Sequence, residues 1–438
     1  MFYLKFIKKK LNVLLSGCGC KEVAIAHAIS KSPYLNKLYY WGKNKAIDEY
    51  AEHIGNKPTP EISKFLKEKK IDLLICQSEG ELSIGTFDIF RYYYGVPTFG
   101  ITKKWTKLES SKHFAKQFME RNCILTPDYT IIDSVKEYLK IADEFGFPVV
   151  IKQNSFFRGF GTFIANNKED AIKIIEKNLQ VGYFDRENKS EKNRLLIEKY
   201  IVGKEISQML LWDGKTLVPL CPIRDYKKAF DNNEGFNTGG LGAIAPVSLT
   251  AEEQQQRNEY IKKLEKALKK EKATDFTGVI YAGLMFSQNK LYTLEYNIRF
   301  GDPEIQVFLE HLESDFLEVL YLVSRKKAHK IKLKYKEGHS MGVILCTEEY
   351  LYSQNIVESK IKVPKDKSDV VTFHYSYLDK KDDIIIFSNL GRPIILCCNS
   401  IDNPQQFIYK EIEKFKALND NLYYRADIGS DVLEQEKD

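Results

Sequence analysis

Residues Leu294–Glu304 read LEYNIRFGDPE, with Glu295, Asn297 and Arg299 alternating with the apolar Tyr296 and Ile298. On a β-strand every second side chain points to the same face. One face would then carry a carboxylate, an amide oxygen and a guanidinium, each about 7 Å from the next at the usual strand rise. Carboxylate and amide oxygens suit a hard divalent cation, and a guanidinium suits an anion. A cation beside an anion is what a magnesium–phosphate complex presents; a solvent-facing polar stripe is the other reading of the same alternation. FGDPE adds Asp302 and Glu304 in a Gly/Pro turn.

Outward from this stretch, EISQMLLWDG, TLVPLCPI and GVIYAGLMF read as further strands of the same sheet, and AEEQQQRNEYIKKLEKALKKEK as a long amphipathic helix. FGFPVVIKQ reads as a buried strand, SFFRGFGTFIA as a glycine-containing turn between strands, DAIKIIEKNLQ as a helix and NRLLIEKYI as another strand. These form a small α+β unit over about 125–195, entered by one predicted helix, LESSKHFAKQFMERN. In the first hundred residues, short apolar runs such as LNVLLSG and IDLLICQ alternate with helical stretches, which indicates a parallel α/β sheet. The 438 residues exceed one compact core. We therefore expect an α/β and α+β multidomain protein with domains at 1–105, 106–330 (containing the 125–195 unit) and 336–438. SRKKAHKIKLKYKEGH is the expected linker, and four strands and a helix follow it.

Composition excludes several classes. Hydrophobic residues are 43% and charged residues 29%, ordinary for a globular protein. The net charge of +6 comes from scattered lysines and forms no long basic stripe, so no nucleic-acid partner is expected. MFYLKFIKKKLNVLLSG carries charges inside its apolar stretch and no small-residue cleavage site, so LNVLLSG reads as a buried strand and not a signal peptide. No apolar run approaches the roughly 20 residues that span a bilayer, so no membrane partner and a cytoplasmic location are expected. The eight cysteines lack zinc-site spacing and read as reduced packing residues.

Several other residues suit a polyphosphate. Lys152 ends PVVIK and Lys112 lies in SSKHFAKQF; a compact ammonium at such a place neutralises phosphate oxygens, although most single lysines are surface charges. Gly159 and Gly161 in FFRGFGTF offer backbone N–H groups that could close over phosphates, a weak pattern by itself. LLIEKYIVGKE supplies Glu198, an apolar stretch whose backbone could read an adenine edge, and Glu205 for a ribose hydroxyl. GFNTGGLGA is a second glycine-rich loop where backbone can approach a small ligand.

Taken in order, LESSKHFAKQF, PVVIK, LLIEKYIVGKE, NTGGLGA, TGVIYAGLM and LEYNIRFGDPEIQ resemble the glycinamide ribonucleotide synthetase (phosphoribosylamine–glycine ligase) family of the ATP-grasp superfamily. The resemblance spans nearly the whole chain, is strongest over 225–306, and extends to RADIG near the C-terminus. It implies a pre-ATP-grasp α/β domain, an ATP-grasp core with a lid, and a C-terminal mixed domain. It implies ATP at Lys112, Lys152, Glu198 and Glu205, the lid loop at Arg158, Gly159 and Gly161, and adenine on the backbone of Lys199, Tyr200 and Ile201. Mg²⁺, with Mn²⁺ as an alternative, would sit on Glu295 and Asn297. Arg299 would hold the acyl phosphate or its carboxylate precursor, with Asp225 and Lys227 in the catalytic segment. Asn237, Thr238, Gly239 and Gly240 would receive glycine or another small amino acid, and Gly17, Gly19, Lys21 and Glu79 a phosphorylated amine. The implied partners are small molecules, and the implied protein is a monomer or weak dimer.

The departures cluster on the amine side. The family's Gly-x-Gly-Gly-Arg-Glu-His reads GCGCKEV, with Cys20, Lys21 and Val23 at the changed positions. Gly-Pro-Glu-Ala-Pro reads QSEGE, keeping Glu79, and WGKNKAIDEY stands where a Pro-Gly-Asn-Ala-Gly turn is expected. Phe160 replaces the lid lysine, with Arg158 two residues earlier, and Asp-His-Lys-Arg reads DYKK. Three readings follow: the purine-pathway ligation of glycine to 5-phosphoribosylamine with substituted contacts, a ligase for a different amine, or a degenerate nucleotide-binding scaffold.

Overall fold

LNVLLS, buried along most of its length, becomes the central strand of a five-stranded parallel sheet. The order is Glu52–His53, Leu35–Trp41, Leu11–Ser16, Leu73–Cys76, Thr98–Phe99. A strand buried on both faces reads as a continuous apolar run, which is why no alternation appears there. In such sheets ligands gather beyond the carboxyl ends of the strands. Gly17–Gly19 and Glu79 both lie there, after neighbouring strands. The computed structural model describes residues 7, 9–55, 62–154, 161–180, 194–352, 357–388 and 391–435.

A second, antiparallel sheet has the order Leu217–Pro219, Lys204–Trp212, Gly278–Ser287, Lys290–Asn297. The helix Ala251–Lys270, started by a Thr250/Glu253 capping box, buries Tyr260, Leu264 and Leu268. In the last strand Gly283 pairs with Glu295 but Leu284 with Thr293, so Leu294 is an extra, bulged residue. Before the bulge Leu291 and Thr293 are buried; after it Tyr296, Ile298 and Phe300 are. The bulge thus changes which residues face inward and turns Glu295 and Asn297 to the open face, a use of bulges common beside active sites. The strand ends at Asn297, two residues earlier than the alternation predicts, so Arg299 reaches its place from the turn.

The third sheet is also antiparallel, in the order Tyr129–Ile132, Leu195–Lys199, Val149–Gln153, Thr162–Ala165. Helices Val135–Phe145 and Lys168–Gln180 complete a separate core of Tyr138, Val149, Ile151, Ile175 and Ile197. The predicted entry helix is broken: Lys107–Ser110 and Lys112–Arg121 are separate, because Ser111 is extended (φ −134°) and its hydroxyl accepts from the Phe114 N–H. Lys112 therefore opens a helix where a mid-helix position was expected.

The C-terminal sheet joins His339–Thr347, Ile394–Ser400 and Thr372–Tyr375 to two strands from mid-chain, Arg224–Asp225 and Gly242–Ala245. One hydrophobic cluster runs through Val13, Leu211, Val343 and Ile395, tying this sheet to the first two. Among the described residues no helix is long and apolar enough to cross a membrane.

Candidate active site

The bulged strand sets the centre. Burial would raise the Glu295 carboxyl, but Lys112, Lys227, Lys152 and Arg299 outweigh it and hold the group down at about 2. Lys112 Nζ lies 3.6 Å from Glu295 Oε2. Lys152, from the third sheet, donates to the carbonyl of the bulged Leu294 at 3.4 Å and ion-pairs with Glu198. Glu198 also ion-pairs with Lys116, so one buried carboxylate holds two ammonium groups. Burial pushes Lys116 down to about 8 against the pull of Glu198. Sequence reasoning missed Lys116, although it lies four residues from Lys112 and so on the same helix face. The Lys199 N–H is held by the Asp128 carbonyl at 2.9 Å, while the backbone continues through Tyr200 and Ile201 at the rim. Arg158 and Gly159 lie outside the described residues; Gly161 accepts from the Gln153 N–H at 2.9 Å and closes the hairpin.

Arg299 links this centre to the first sheet. Its Nε is 2.5 Å from Glu79 Oε1 and its Nη2 is 3.4 Å from Glu109 Oε1. Glu109 also accepts from the Ile298 N–H at 2.8 Å, and burial lifts its carboxyl to about 7 against Arg299. Glu109 escaped sequence reasoning because the break at Ser111 removes it from the helical register of Lys112. Glu79 Oε1 is 3.7 Å from Lys21 Nζ, so one carboxylate bridges Lys21 and Arg299.

In the loop before the first helix, Glu22 accepts from the Gly19 N–H at 2.7 Å, and burial raises its carboxyl to about 7. A Cβ on Gly17 would lie 2.6 Å from Glu22 Cδ, at φ +131°, so glycine is required there. Cys20 is the first residue of the helix and does not have a positive φ, so a side chain in place of the family's glycine brings no backbone strain. Its thiol is buried and donates to the His374 carbonyl, and Val23 is buried in the core. WGKNKAIDEY brings Asn44 to the same loop, where its Nδ2 donates to the Gly19 carbonyl at 3.3 Å, a contact the sequence did not signal.

The third group lies where the C-terminal sheet begins. Lys227 Nζ is 2.5 Å from Glu205 Oε1, so Glu205 faces a lysine in addition to any ribose. Asp225 is pushed well up by burial and by Glu304, and its Oδ1 makes no hydrogen bond. Glu304 is buried and accepts from the Ser207 hydroxyl at 2.9 Å. In the loop from Asn237 to Gly240, the Thr238 hydroxyl donates to the Lys227 carbonyl, and a Cβ on Gly240 would meet Asp225 Oδ1 at 2.6 Å. A Cβ on Gly239 would meet Arg392 and Tyr350 at 3.2 Å. Asp225 and a φ of +96° require glycine at 240, whereas at 239 the neighbours are the side-chain ends of Arg392 and Tyr350. Arg392 lies far along the chain with no local signal.

A family model for the N domain of phosphoribosylglycinamide synthetase matches residues 11–109, and one for its ATP-grasp (A) domain matches residues 110–305. The chain belongs to the phosphoribosylglycinamide synthetase family. It is 32% identical over 431 residues to the phosphoribosylamine–glycine ligase of Halalkalibacterium halodurans, covering 97% of each chain. It is 31% identical over 428 residues to that of Caldanaerobacter subterraneus subsp. tengcongensis, covering 96% of this chain and 100% of the relative. The solved phosphoribosylamine–glycine ligase of Thermotoga maritima matches with a TM-score of 0.77 at 25% identity, covering 96% of this chain and 100% of that one. The biotin carboxylase domain of Hydrogenobacter thermophilus 2-oxoglutarate carboxylase, solved with MgADP and bicarbonate, shares the fold at a TM-score of 0.66 and 17% identity, covering 95% and 91%.

Membership of the synthetase family implies ATP and a divalent metal. The residues fit that requirement in a particular way. Glu295 stays ionised, and Asn297 follows on the same face. Among the described residues no cluster of three or more His, Cys, Asp or Glu could hold a metal. One carboxylate and one amide would leave the other ligand positions to phosphate oxygens and water, which is how magnesium is usually held in nucleotide sites.

Proposed function

We propose that this protein is an ATP-dependent ligase that joins glycine to 5-phosphoribosylamine through an acyl phosphate. The observation that carries the proposal is the Glu79 bridge: one carboxylate pairs with Arg299, beside the metal-binding strand, and with Lys21, at the N-terminal loop. Two anion-seeking cations, one on each side of a reacting centre, suit a reaction that brings an acyl phosphate to a phosphorylated amine.

A carboxylate is a poor electrophile, so ATP first phosphorylates the glycine carboxylate. That step needs positioning and charge neutralisation and no covalent nucleophile on the enzyme. Lys112 and Lys152 hold the polyphosphate, and Glu198 orients Lys152 until the nucleotide arrives. Arg299 receives the glycine carboxylate and then the acyl phosphate, held in direction by Glu109. A bound magnesium ion on Glu295 and Asn297 would neutralise phosphate charge; manganese accepts the same oxygen ligands. Lys21 and the Gly17–Gly19 backbone hold the phosphate of the amine, whose nitrogen attacks the acyl carbon and expels inorganic phosphate. Tyr200 and Ile201 flank the adenine, Asp225 and Lys227 border the acyl group, and the partners are small molecules.

A second reading, a different amine acceptor, is favoured by Glu22, whose carboxylate already caps the N-terminal loop, and by Lys21 in place of arginine. The test is ADP release with glycine and freshly generated phosphoribosylamine, run against glycine with a panel of other amines. Turnover on phosphoribosylamine well above every other amine supports the proposal. Turnover on another amine alone overturns it and leaves an ATP-grasp ligase of different specificity.

A further inference from the structure

Arg392 lies two residues before the C-terminal strand Ile394–Ser400, outside both segments matched by the family models. Its Nη1 donates to the carbonyl oxygens of Gly239 at 2.5 Å, Gly240 at 2.8 Å and Asp302 at 2.6 Å. Its Nη2 lies 3.2 Å from Asp302 Oδ2. The Arg392 side chain is 16% exposed. Asp302 is held from its other side by Gln306, whose Nε2 donates to Oδ1 at 2.8 Å. Tyr350, also from the C-terminal part, accepts from the Gly239 N–H at 3.1 Å.

Three carbonyl oxygens converging on one point repel one another unless a cation sits between them. Arg392 is that cation. It fastens the Gly239–Gly240 turn to the Asp302 turn, three residues past Arg299. Its fork spans a backbone oxygen cluster and a carboxylate at once, which a point-charged ammonium does less well.

We infer that Arg392 is a positioning residue that sets the small-substrate wall of the site, holding the 239–240 turn at a fixed distance from the segment carrying Arg299. The inference rests on the proposed reaction for its substrate and on the contacts above for the clamp. It predicts a split effect. Loss of the clamp displaces the wall against glycine and leaves the nucleotide contacts at Lys112, Lys152 and Glu198 untouched. Displacement of this kind lowers reactivity by about 10²-fold.

The experiment compares Arg392→Ala and Arg392→Lys with the wild type. Three readouts are taken: the glycine dependence of ADP release, binding of a Mg–ATP analogue, and amide exchange of peptides covering 237–241 and 300–306. The expected result is kcat/KM for glycine lower by about 10²-fold in Arg392→Ala, with unchanged nucleotide affinity. Added guanidinium ion should restore part of the loss, and methylammonium should restore less. The two peptides should exchange faster while the strand Lys204–Trp212 exchanges at the wild-type rate. Unchanged glycine kinetics overturn the inference. So does a parallel fall in glycine and nucleotide binding without guanidinium rescue, which would make Arg392 a general stabiliser. If Arg392→Ala does not fold, Arg392→Lys, whose single ammonium cannot span the oxygen cluster and the carboxylate together, carries the same comparison. A wild type that ignores glycine would defeat the proposed reaction, and amide exchange, which needs no substrate, would still decide the clamp.

Discussion

Replacing Glu198 by glutamine removes the one negative charge shared by Lys116 and Lys152. The three side chains are 2%, 2% and 8% exposed, so the two ammonium groups lose their counter-charge in a site nearly closed to water. Breaking a buried pair by removing one partner typically costs about 3–5 kcal/mol, because the stranded charge has no compensation. Lys116 can relieve part of that by shedding its proton: burial already holds it at about 8, with Lys152 and Lys112 opposing its charge and Glu198 supporting it. The sign follows. Glu198→Gln lowers the Lys116 pKa further, so the variant carries neutral Lys116 at pH 9 and its penalty shrinks there relative to pH 7. Urea unfolding at the two pH values measures this, with Lys116→Met in the Glu198→Gln background as the compensating variant. The double variant should recover much of the loss. An unfolding free energy within about 0.5 kcal/mol of wild type at pH 7 would refute the shared-charge account.

Other consequences are as specific. Glu295→Gln should fold normally and lower Mg²⁺-dependent turnover by about 10²-fold or more, since the only carboxylate on that strand face is lost; wild-type turnover would remove the metal assignment. Glu79→Gln frees Arg299 and Lys21 from each other. It should raise the ADP formed per amide product above the wild-type ratio, and an unchanged ratio would show that the bridge does not couple the two substrates. Burial, with His27 and Lys31 adding to it, holds His374 down at about 3. The unfolded chain takes up a proton near pH 6.5 and the folded one does not, so stability should fall as pH drops from 6.5 toward 3. His374→Gln should flatten that fall in a thermal-melt series, and an unaltered pH profile would assign the acid sensitivity elsewhere.

Local pattern carried the strands well. Alternation at Glu295 and Asn297 and the apolar runs of the central sheet follow directly from side-chain direction, and the sheets contain those strands, although Arg299 lies beyond the strand end. What alternation cannot reveal is the bulge at Leu294, because an inserted residue leaves the later period intact and only changes its phase relative to the earlier part. The break at Ser111 is a capping event, and a serine inside a helix-forming stretch reads equally as interior or cap. Lys112, Lys152, Glu198 and Arg299 could be proposed from sequence because they sit at strand ends or in ordered motifs. Glu109, Asn44 and Arg392 were not, because each acts through a contact made only in three dimensions; Arg392 meets Gly239 across 153 residues of chain.

The central claim is that the glycine carboxylate is phosphorylated before the amine attacks, and oxygen tracing tests it most directly. Glycine carrying ¹⁸O in both carboxyl oxygens is incubated with the enzyme, Mg–ATP and freshly generated phosphoribosylamine, and the inorganic phosphate is analysed by mass. Attack on an acyl phosphate expels phosphate that keeps the bridging carboxyl oxygen, so each phosphate should carry one ¹⁸O and each amide product should retain the other. Inorganic phosphate free of ¹⁸O, formed while ATP is consumed, would contradict the account.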